Sequence, residues 1–453
     1  MTRQRSGQVA SRDDDGRGMT RPATPHWSTR LPSGLRVFRH RNFRLFYFGQ
    51  LVSLTGTWMQ AVAQDWLVLQ LTNSPVSLGL VAAAQFLPVM VLGLFGGLAA
   101  DALPKRLGLL CTQSAAMCTA LVLGTLVLLG HVQVWQVMVM AFLLGIINAF
   151  DMPIRQSFVV EMVGRSDVGS AVALNSAAFN AARIVGPAIA GLLIGFVGLA
   201  PLFLLNAVSY LLPITGYLRM NVSELIPVVR THVDRTVGAV FGSLAEGLRY
   251  VRATPMVLLC ILMIGMVSAI ALNFPVLGPL VARDILGGGA ATYGFLMAAA
   301  GVGSLISALM LAFGGSATLG RVFIGSSLLG LAVAGVGLSS MLPLSVLLMG
   351  IVGWSTVAMG ASTNTIIQLT VPDVLRGRVM SVYTTVFAGT TPIGSILAGV
   401  LASLLGVTAT LLLAGIVTAG GTVAAALWAT RRRRLPLWTT PAIPVAQSSQ
   451  PQA

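Results

Sequence analysis

The chain has 453 residues, of which 55% are hydrophobic and only 9% are charged, and its formal net charge is +15. A soluble globular domain carries about 25% charged residues, so this composition excludes a soluble fold and indicates that lipid covers most of the chain. All three cysteines lie within apolar runs, which argues against a disulfide framework. The four histidines are scattered without metal-ligand spacing, and the chain has no phosphate-binding glycine loop. We therefore expect a membrane protein with no metal, no cofactor and no enzymatic activity.

Twelve apolar runs follow one another from about residue 44 onward. A helix of about 20 residues crosses the roughly 30 Å hydrocarbon layer, so each run is long enough to span a bilayer. We predict spans at roughly 44–70, 77–100, 107–129, 134–154, 170–196, 201–219, 256–282, 291–313, 321–340, 344–368, 377–404 and 408–430. The predicted fold class is an all-α membrane protein with twelve transmembrane helices.

Lys and Arg residues concentrate in every second gap between these runs. Lys105 and Arg106 occupy one such gap, and four arginines at 431–434 follow the last run. The gaps near Asn73 and His131 carry no Lys or Arg. Short cytoplasmic loops are enriched in Lys and Arg, so the pattern predicts that both ends of the chain are cytoplasmic. The positive charge then reflects orientation and contact with anionic lipid, and it does not indicate a nucleic-acid partner.

The spans divide into two sets of six around one long connection. Within that connection, 239–252 has helical apolar spacing with its charges on one side, which predicts an interfacial helix. The first residues are polar and basic without a short apolar core, so we expect a disordered tail and no cleavable signal peptide. The predicted units are a cytoplasmic tail at 1–40, a six-helix bundle at 41–220, a cytoplasmic linker at 221–254, a second six-helix bundle at 255–430 and a cytoplasmic tail at 431–453.

Identical residues recur in the two sets of spans at a constant offset of 208 residues. The matched pairs are Gly169 with Gly377, Phe179 with Phe387, Gly186 with Gly394, and Gly191 with Gly399. This predicts that the fifth and eleventh spans are duplicates and that a parallel repeat relates the two six-helix bundles. Transporters whose halves move about a site at the membrane midplane are built in this way.

Asp65 is one of very few ionisable groups expected inside the hydrocarbon layer, where a charge normally faces the protein interior and serves a function. It lies late in the first span, with Gln60 and Gln64 sharing one helix face and Gln85 at a similar depth. A carboxyl group whose pKa is raised by desolvation can take a proton outside and release it inside. The alternative is an Asp at the membrane surface, wetted from outside.

Arg183 lies near the middle of the fifth span with no acidic neighbour in sequence. Its partner must then come from another helix or from the substrate: Asp65, backbone carbonyls or an anionic ligand. We place Arg183 in a central cavity and count it with Asp65 as a residue of proton coupling; the alternative is a structural hydrogen bond between helices. Other residues that we expect to contact substrate are Met59, Gln60, Gln64, Gln85, Phe86, Asn148, Asn175, Asn180 and Asn364.

Asp151 and Arg155 are four residues apart at the inner end of the fourth span. This spacing predicts a local ion pair that closes the helix end. The alternative is a gate in which they bind the loop that carries Asp101.

The loop Gly96–Gly108 resembles the signature between the second and third spans of the major facilitator superfamily. Gly97 and Asp101 match its glycine and aspartate, and Lys105 and Arg106 match its basic end. Ala102 and Pro104 depart from the usual arginine and glycine, which puts the full charge network of the signature in doubt. Further stretches are similar to the transmembrane secretion effectors, a group that includes the enterobactin exporter: Gly49–Thr72, Phe150–Val163, Leu174–Gly191 and Val371–Tyr383.

This resemblance implies the major facilitator fold, a monomer, and proton-driven export of a drug-like compound or a secreted metabolite such as a siderophore across the inner membrane. Gly186, Pro187 and Gly191 resemble half of the glycine-proline motif of antiporters in the superfamily; a proline inside a helix also kinks it. Two alternatives remain open. One is a facilitator or importer of a small solute, and the other is a receptor or scaffold that uses 220–255 to bind a partner.

Overall fold

The computed structural model of the chain describes residues 33–226, 237–314, 317–432 and 435–439. All regular elements within these residues are helical, which confirms the all-α class. The α-helices are α1 Arg41–Thr72, α2 Pro75–Ala102, α3 Lys105–Leu128, α4 Val134–Val197, α5 Ala200–Ser209, α6 Leu211–Leu218, α7 Val237–Ala253, α8 Pro255–Ile270, α9 Phe274–Leu280, α10 Ala290–Ala312, α11 Leu319–Leu338, α12 Leu342–Thr370, α13 Asp373–Leu405 and α14 Val407–Leu427.

Ten helical stretches among the described residues are both long and apolar enough to cross a membrane. One of them is α4, whose 64 residues would extend about 96 Å at 1.5 Å per residue, far more than a bilayer needs. α1 is also long enough, with 32 residues, but it is more polar and is not one of the ten. With α4 counted as two spans and α1 included, these helices account for the twelve predicted spans.

α4 corrects the predicted gap between the fourth and fifth spans. The sequence predicts a connection over about 155–169 because charged residues cluster there, whereas in the structure two helices occupy this stretch and meet at Gly164. The one non-helical residue is Gly164, with φ 74° and ψ 173°, a conformation that only glycine adopts at low cost. It divides α4 into a first arm, 134–163, and a second arm, 165–197.

The seventh span is interrupted rather than continuous. α8 ends at Ile270, and α9 begins at Phe274 and continues into one π-helical turn, Val281–Ile285. Pro275 has no N–H to donate to the carbonyl four residues before it and disfavours a helical conformation in the preceding residue. The Asn273 side chain donates to the Ala269 carbonyl at 2.9 Å and satisfies a backbone group at the break.

Parts of the predicted tails and linker are ordered elements in the structure. The predicted tail extends to residue 40, but Ser33–Arg39 is a 3-10 helix whose Val37 is fully buried. The predicted linker segment 239–252 lies within α7, which contacts α13 through an ion pair between Glu246 and Arg378. Predictions for residues 1–32, 227–236, 433–434 and 440–453 lie outside the described residues.

Helices before the linker pack directly against helices after it, through α2 with α13 and through the second arm of α4 with α10. Small residues make both contacts close. A Cβ atom on Gly294 would lie 2.5 Å from the Pro187 carbonyl oxygen, and one on Gly399 would lie 2.6 Å from the Pro75 oxygen.

Glycines paired by the 208-residue offset make equivalent contacts. Gly186 packs on α1, and Gly394 packs on α8, the corresponding helix of the second set. Gly191 meets α10 and Gly399 meets α2, each across to the other set of helices. The parallel repeat predicted from the sequence is therefore visible in the packing.

Candidate functional site

The two sets of helices are joined by hydrogen bonds at one end of the molecule. The Tyr293 hydroxyl on α10 donates to Asp65 Oδ2 on α1 at 2.7 Å. The Arg283 guanidinium donates to Asn73 Oδ1, in the connection between α1 and α2, at 2.8 Å. We call Asp65, Asn73, Arg283 and Tyr293 the closed end.

At the opposite end, no such connection is found among the side chains that the structure describes. Within the described residues, no side-chain hydrogen bond or ion pair joins 33–226 to 255–439 apart from the two at the closed end. Large apolar side chains are exposed there, including Phe95 near the end of α2 and Val374 at the start of α13. The side-chain bonds found between the two sets of helices therefore lie at one end of the molecule.

Asp65 does not contact Arg183, which was one of its predicted partners. Its carboxylate accepts the Tyr293 hydroxyl, and the Arg183 guanidinium carbon lies 5.7 Å from the centroid of the Trp58 ring instead. Trp58 precedes Asp65 by seven residues, or about 10 Å along an α-helix. The two predicted coupling residues are thus apart: Asp65 lies on α1, and Arg183 lies on α4 beside Trp58, nearer the middle of α1.

The glutamines near Asp65 divide between two environments. Gln64 Nε2 donates to Gln85 Oε1 at 3.3 Å, which links α1 to α2 at the depth that the sequence predicted. Gln60 Oε1 instead accepts from Asn206 Nδ2 of α5 at 2.7 Å, and both side chains are buried. Met59 is also buried. In this conformation Gln60 and Met59 are packed inside the first set of helices.

Arg183 forms a cluster with two aromatic rings. Its guanidinium carbon approaches the Trp58 ring, and Trp58 meets Phe179 edge-on at a centroid distance of 5.7 Å. Arg183 Nε is buried and has no hydrogen-bond partner among the described residues. We call Trp58, Phe179 and Arg183 the Arg183 cluster.

A cavity of about 450 Å³ lies in the second set of helices, between α8, α12 and α13. Its lining is mostly apolar, with Asn364, Tyr383 and Phe387 among the residues that face it. Asn364 is the one predicted substrate-contact residue in this lining, and its Oδ1 accepts from Gln368 Nε2 at 2.5 Å.

The remaining predicted contact residues lie elsewhere on the first set of helices and are all half-buried. They are Phe86, Asn148, Asn175 and Asn180. Asn180 donates to the Ser176 carbonyl at 2.8 Å, and the buried Asn175 Oδ1 has no partner.

The basic end of the signature loop binds within the first set of helices. Lys105 Nζ lies 2.5 Å from Glu161 Oε1 on α4. Arg106 donates to the Tyr217 and Leu218 carbonyls at 2.6 and 3.0 Å, at the end of α6. Cations near the last carbonyls of a helix are stabilising. The Asp101 side chain lies outside the described residues, and a Cβ atom on Gly97 would meet no atom within 4 Å.

Asp151 and Arg155 form an ion pair at the i,i+4 spacing. Asp151 is almost fully buried and also accepts hydrogen bonds from Thr112 Oγ1 at 2.7 Å and Gln113 Nε2 at 2.9 Å. These donors lie on α3, so the carboxylate holds α3 and α4 together.

Gly186 and Gly191 allow the second arm of α4 to approach α1 and α10. A Cβ atom on Gly186 would lie 2.6 Å from Trp58 Cβ, and one on Gly191 would lie 3.0 Å from Gly294 Cα. Pro187 is buried between them, and the helix continues through it.

Comparison with solved structures shows the fold. The chain matches the nucleoside transporter NupG with a TM-score of 0.69 at 13% identity, covering 87% of this chain and 100% of that one. This likeness shows the fold of the major facilitator transporters.

Sequence comparison defines the family. The model of the transmembrane secretion effectors matches residues 32–452. The multidrug efflux pump Tap of Mycolicibacterium fortuitum is 30% identical, over 81% of this chain and 91% of that protein. The enterobactin exporter EntS of Shigella boydii is 25% identical, over 81% and 86%. The chain belongs to the transmembrane secretion effector family of the major facilitator superfamily and is a multi-pass membrane transporter.

Several residues of these sites were not identified from the sequence. No sequence pattern indicated that the two sets of helices would be joined by Tyr293, Asn73 and Arg283. Trp58 was not among the residues expected to contact substrate. Asp65 and Tyr293 are predicted at a similar depth in the membrane, since each lies near the same end of its span. Only this similarity could have suggested their contact.

Proposed function

We propose that this protein is a proton-coupled exporter of an amphipathic small molecule, operating by alternating access between the bundles 41–220 and 255–430. Family membership and relatives named for efflux and export support the direction of transport. The Lys and Arg pattern supports an inner-membrane orientation with both ends cytoplasmic. In that orientation the closed end faces outward, and the structure corresponds to the state that loads cargo from the cytoplasm. We propose that the monomer is the working unit.

The Asp65–Tyr293 hydrogen bond is the observation that carries the coupling proposal. It joins the two bundles through a group that can gain or lose a proton. A hydrogen bond to a carboxylate is stronger than one to a neutral acceptor, so deprotonated Asp65 stabilises closure of the outer side. When the outer side opens, this bond breaks and Asp65 becomes accessible to external protons.

Cargo loading is proposed to occur in the space open to the cytoplasm. The C-terminal cavity of about 450 Å³ is within the range of small-molecule sites. Its apolar lining with Asn364 and Tyr383 suits a molecule that has both apolar and hydrogen-bonding parts. The polar residues Gln64, Gln85, Asn148, Asn175 and Asn180 complete the proposed path on the N-terminal side.

The test uses inside-out membrane vesicles that contain the protein and a panel of fluorescent amphipathic compounds. We expect accumulation driven by an acidic interior, with proton release from the interior when transported compound is added. Asp65→Asn should abolish gradient-driven accumulation, while Asp373→Asn, a change at an exposed site, should leave it intact. Accumulation that survives complete collapse of the proton gradient would contradict antiport, and equilibration without accumulation at any gradient would indicate facilitated diffusion. Specific binding of a protein to 220–255 without any solute movement would instead support the receptor alternative.

A further inference from the structure

The second arm of α4 is exposed on two opposite faces of different chemistry. One face is wholly apolar and carries Val185, Leu192 and Phe196, as expected for contact with lipid. At about 100° per residue, the other exposed face lies on roughly the opposite side of the helix. It carries the exposed residues Val172, Ser176 and Phe179, and the half-buried Arg183 lies at its end.

This second face lies between the two bundles. On one side of it, Gly186 packs against α1 of the N-terminal bundle. On the other side, the Pro187 and Arg183 carbonyls pack against Gly294 and Gly301 of α10. The second face, which ends at Arg183, is therefore bordered by one helix from each bundle. A surface that lines a central transport path must have such borders.

Arg183 has no counter-ion in this position. Within the part of the chain that the structure describes, no acidic side chain lies within ion-pair distance of it, and its Nε has no acceptor. A charge at membrane depth is costly unless something compensates it. The Trp58 ring supplies part of this compensation through a cation–π contact, but it leaves the N–H donors of the guanidinium free.

The repeat shows that the fold does not require an arginine here. At the offset that pairs Phe179 with Phe387, Arg183 corresponds to Thr391. The Thr391 hydroxyl donates a hydrogen bond to the Phe387 carbonyl one turn earlier and lies within hydrogen-bond distance of Ser268 on α8. The C-terminal bundle thus fills the equivalent position with a neutral, fully partnered side chain.

We propose that the cargo carries a carboxylate or a similar anionic group that binds the Arg183 guanidinium, with its apolar part against Trp58 and Phe179. This rests on the proposed export function and narrows the substrate class to amphipathic organic acids. Arginine suits this role because its planar fork of N–H donors matches two carboxylate oxygens. The adjoining rings of Trp58 and Phe179 suit an apolar ring system.

Binding to the purified protein tests this with three compounds on one ring system: 2-naphthoate, 2-naphthalenemethanol and 2-naphthylmethylammonium. The wild-type protein should prefer the anion. Arg183→Gln should weaken naphthoate binding about tenfold or more and leave the neutral and cationic compounds within about twofold. Arg183→Lys should retain most of the anion preference, and Arg219→Gln, at an exposed site on the end of α6, serves as a matched control.

The outcomes separate this inference from the export function. Equal or tighter binding of the ammonium compound by the wild-type protein would overturn the inference, as would unchanged naphthoate binding in a folded Arg183→Gln variant. A uniform loss for all three compounds would indicate a structural role for Arg183 and would also overturn it. If proton-driven accumulation of another compound persists in any of these cases, the proposed export function stands without the acid-specific site.

Membrane potential gives a second, independent readout. Exchange of a monoanion for one proton moves two positive charges inward, whereas exchange of a monocation for one proton moves none. In vesicles with a potassium diffusion potential set by valinomycin, transport of naphthoate should therefore respond to the potential at fixed pH gradient. Naphthoate transport that is indifferent to the potential would contradict the proposed exchange.

Discussion

Replacing Tyr293 by phenylalanine should loosen the closed end of the molecule without disturbing its packing. The substitution removes only the hydroxyl that donates to Asp65 at 2.7 Å. The ring, which is almost fully buried, can remain in place. The opening equilibrium of the outer side should therefore shift toward the open state.

The size of this shift follows from the type of bond that is lost. A hydrogen bond to a charged group contributes about 1.5–3 kcal/mol, and each 1.4 kcal/mol corresponds to a factor of ten. The outward-open population should rise about 10- to 150-fold while it remains a minor state. Asp65→Asn leaves a weaker neutral bond, so Tyr293→Phe should have a smaller effect in that background.

Accessibility to a membrane-impermeant maleimide measures this population. Ala290→Cys places a thiol at a buried position beside the Gly191 contact at the start of α10. The three native cysteines would first be replaced by alanine. Labelling from outside should be slow in this background and should accelerate in Tyr293→Phe by the factor given above.

Tyr217→Phe is the matched control. Tyr217 is also fully buried, but its hydroxyl has no hydrogen-bond partner among the described residues. Its removal should leave the labelling rate unchanged. If Tyr293→Phe folds normally and labels no faster than this control, the Asp65–Tyr293 bond does not hold the outer side closed. Additive effects of Tyr293→Phe and Asp65→Asn would likewise refute a direct coupling between the two groups.

Three further substitutions test the packing and the ion pairs. Gly294→Ala, which forces a Cβ atom to 2.5 Å from a carbonyl oxygen of α4, should hinder closure and reduce export at least tenfold, whereas Gly195→Ala, in open space, should not. Arg283→Gln removes one half-exposed contact of the closed end and should raise the maleimide labelling rate less than about fivefold. Asp151→Ala should cost about 3–5 kcal/mol of stability because it leaves the half-buried Arg155 unpaired and removes the acceptor of Thr112 and Gln113. Asp373→Ala should cost less than about 1 kcal/mol, and thermal unfolding in detergent compares the two.

The sequence by itself determined which segments lie in the membrane, because that depends on length and hydropathy summed along the chain. It also indicated the repeat, since Gly191 and Gly399 keep the same spacing in both halves. It singled out Asp65 and Arg183 because ionisable groups are rare in such segments. The one-residue junction at Gly164 was missed because charged residues were taken as the mark of a loop.

Only the tertiary structure decided which side chains meet. Asp65 and Tyr293 are 228 residues apart, and Gln60 turns to Asn206 rather than into the cavity. A soluble helix shows its buried side as an apolar stripe, but a membrane helix is apolar toward lipid and toward its neighbours alike. The sequence therefore leaves the rotation of each helix undetermined. That rotation, fixed by close packing of helices on one another, set Arg183 against Trp58 and set Asp65 against the opposite bundle.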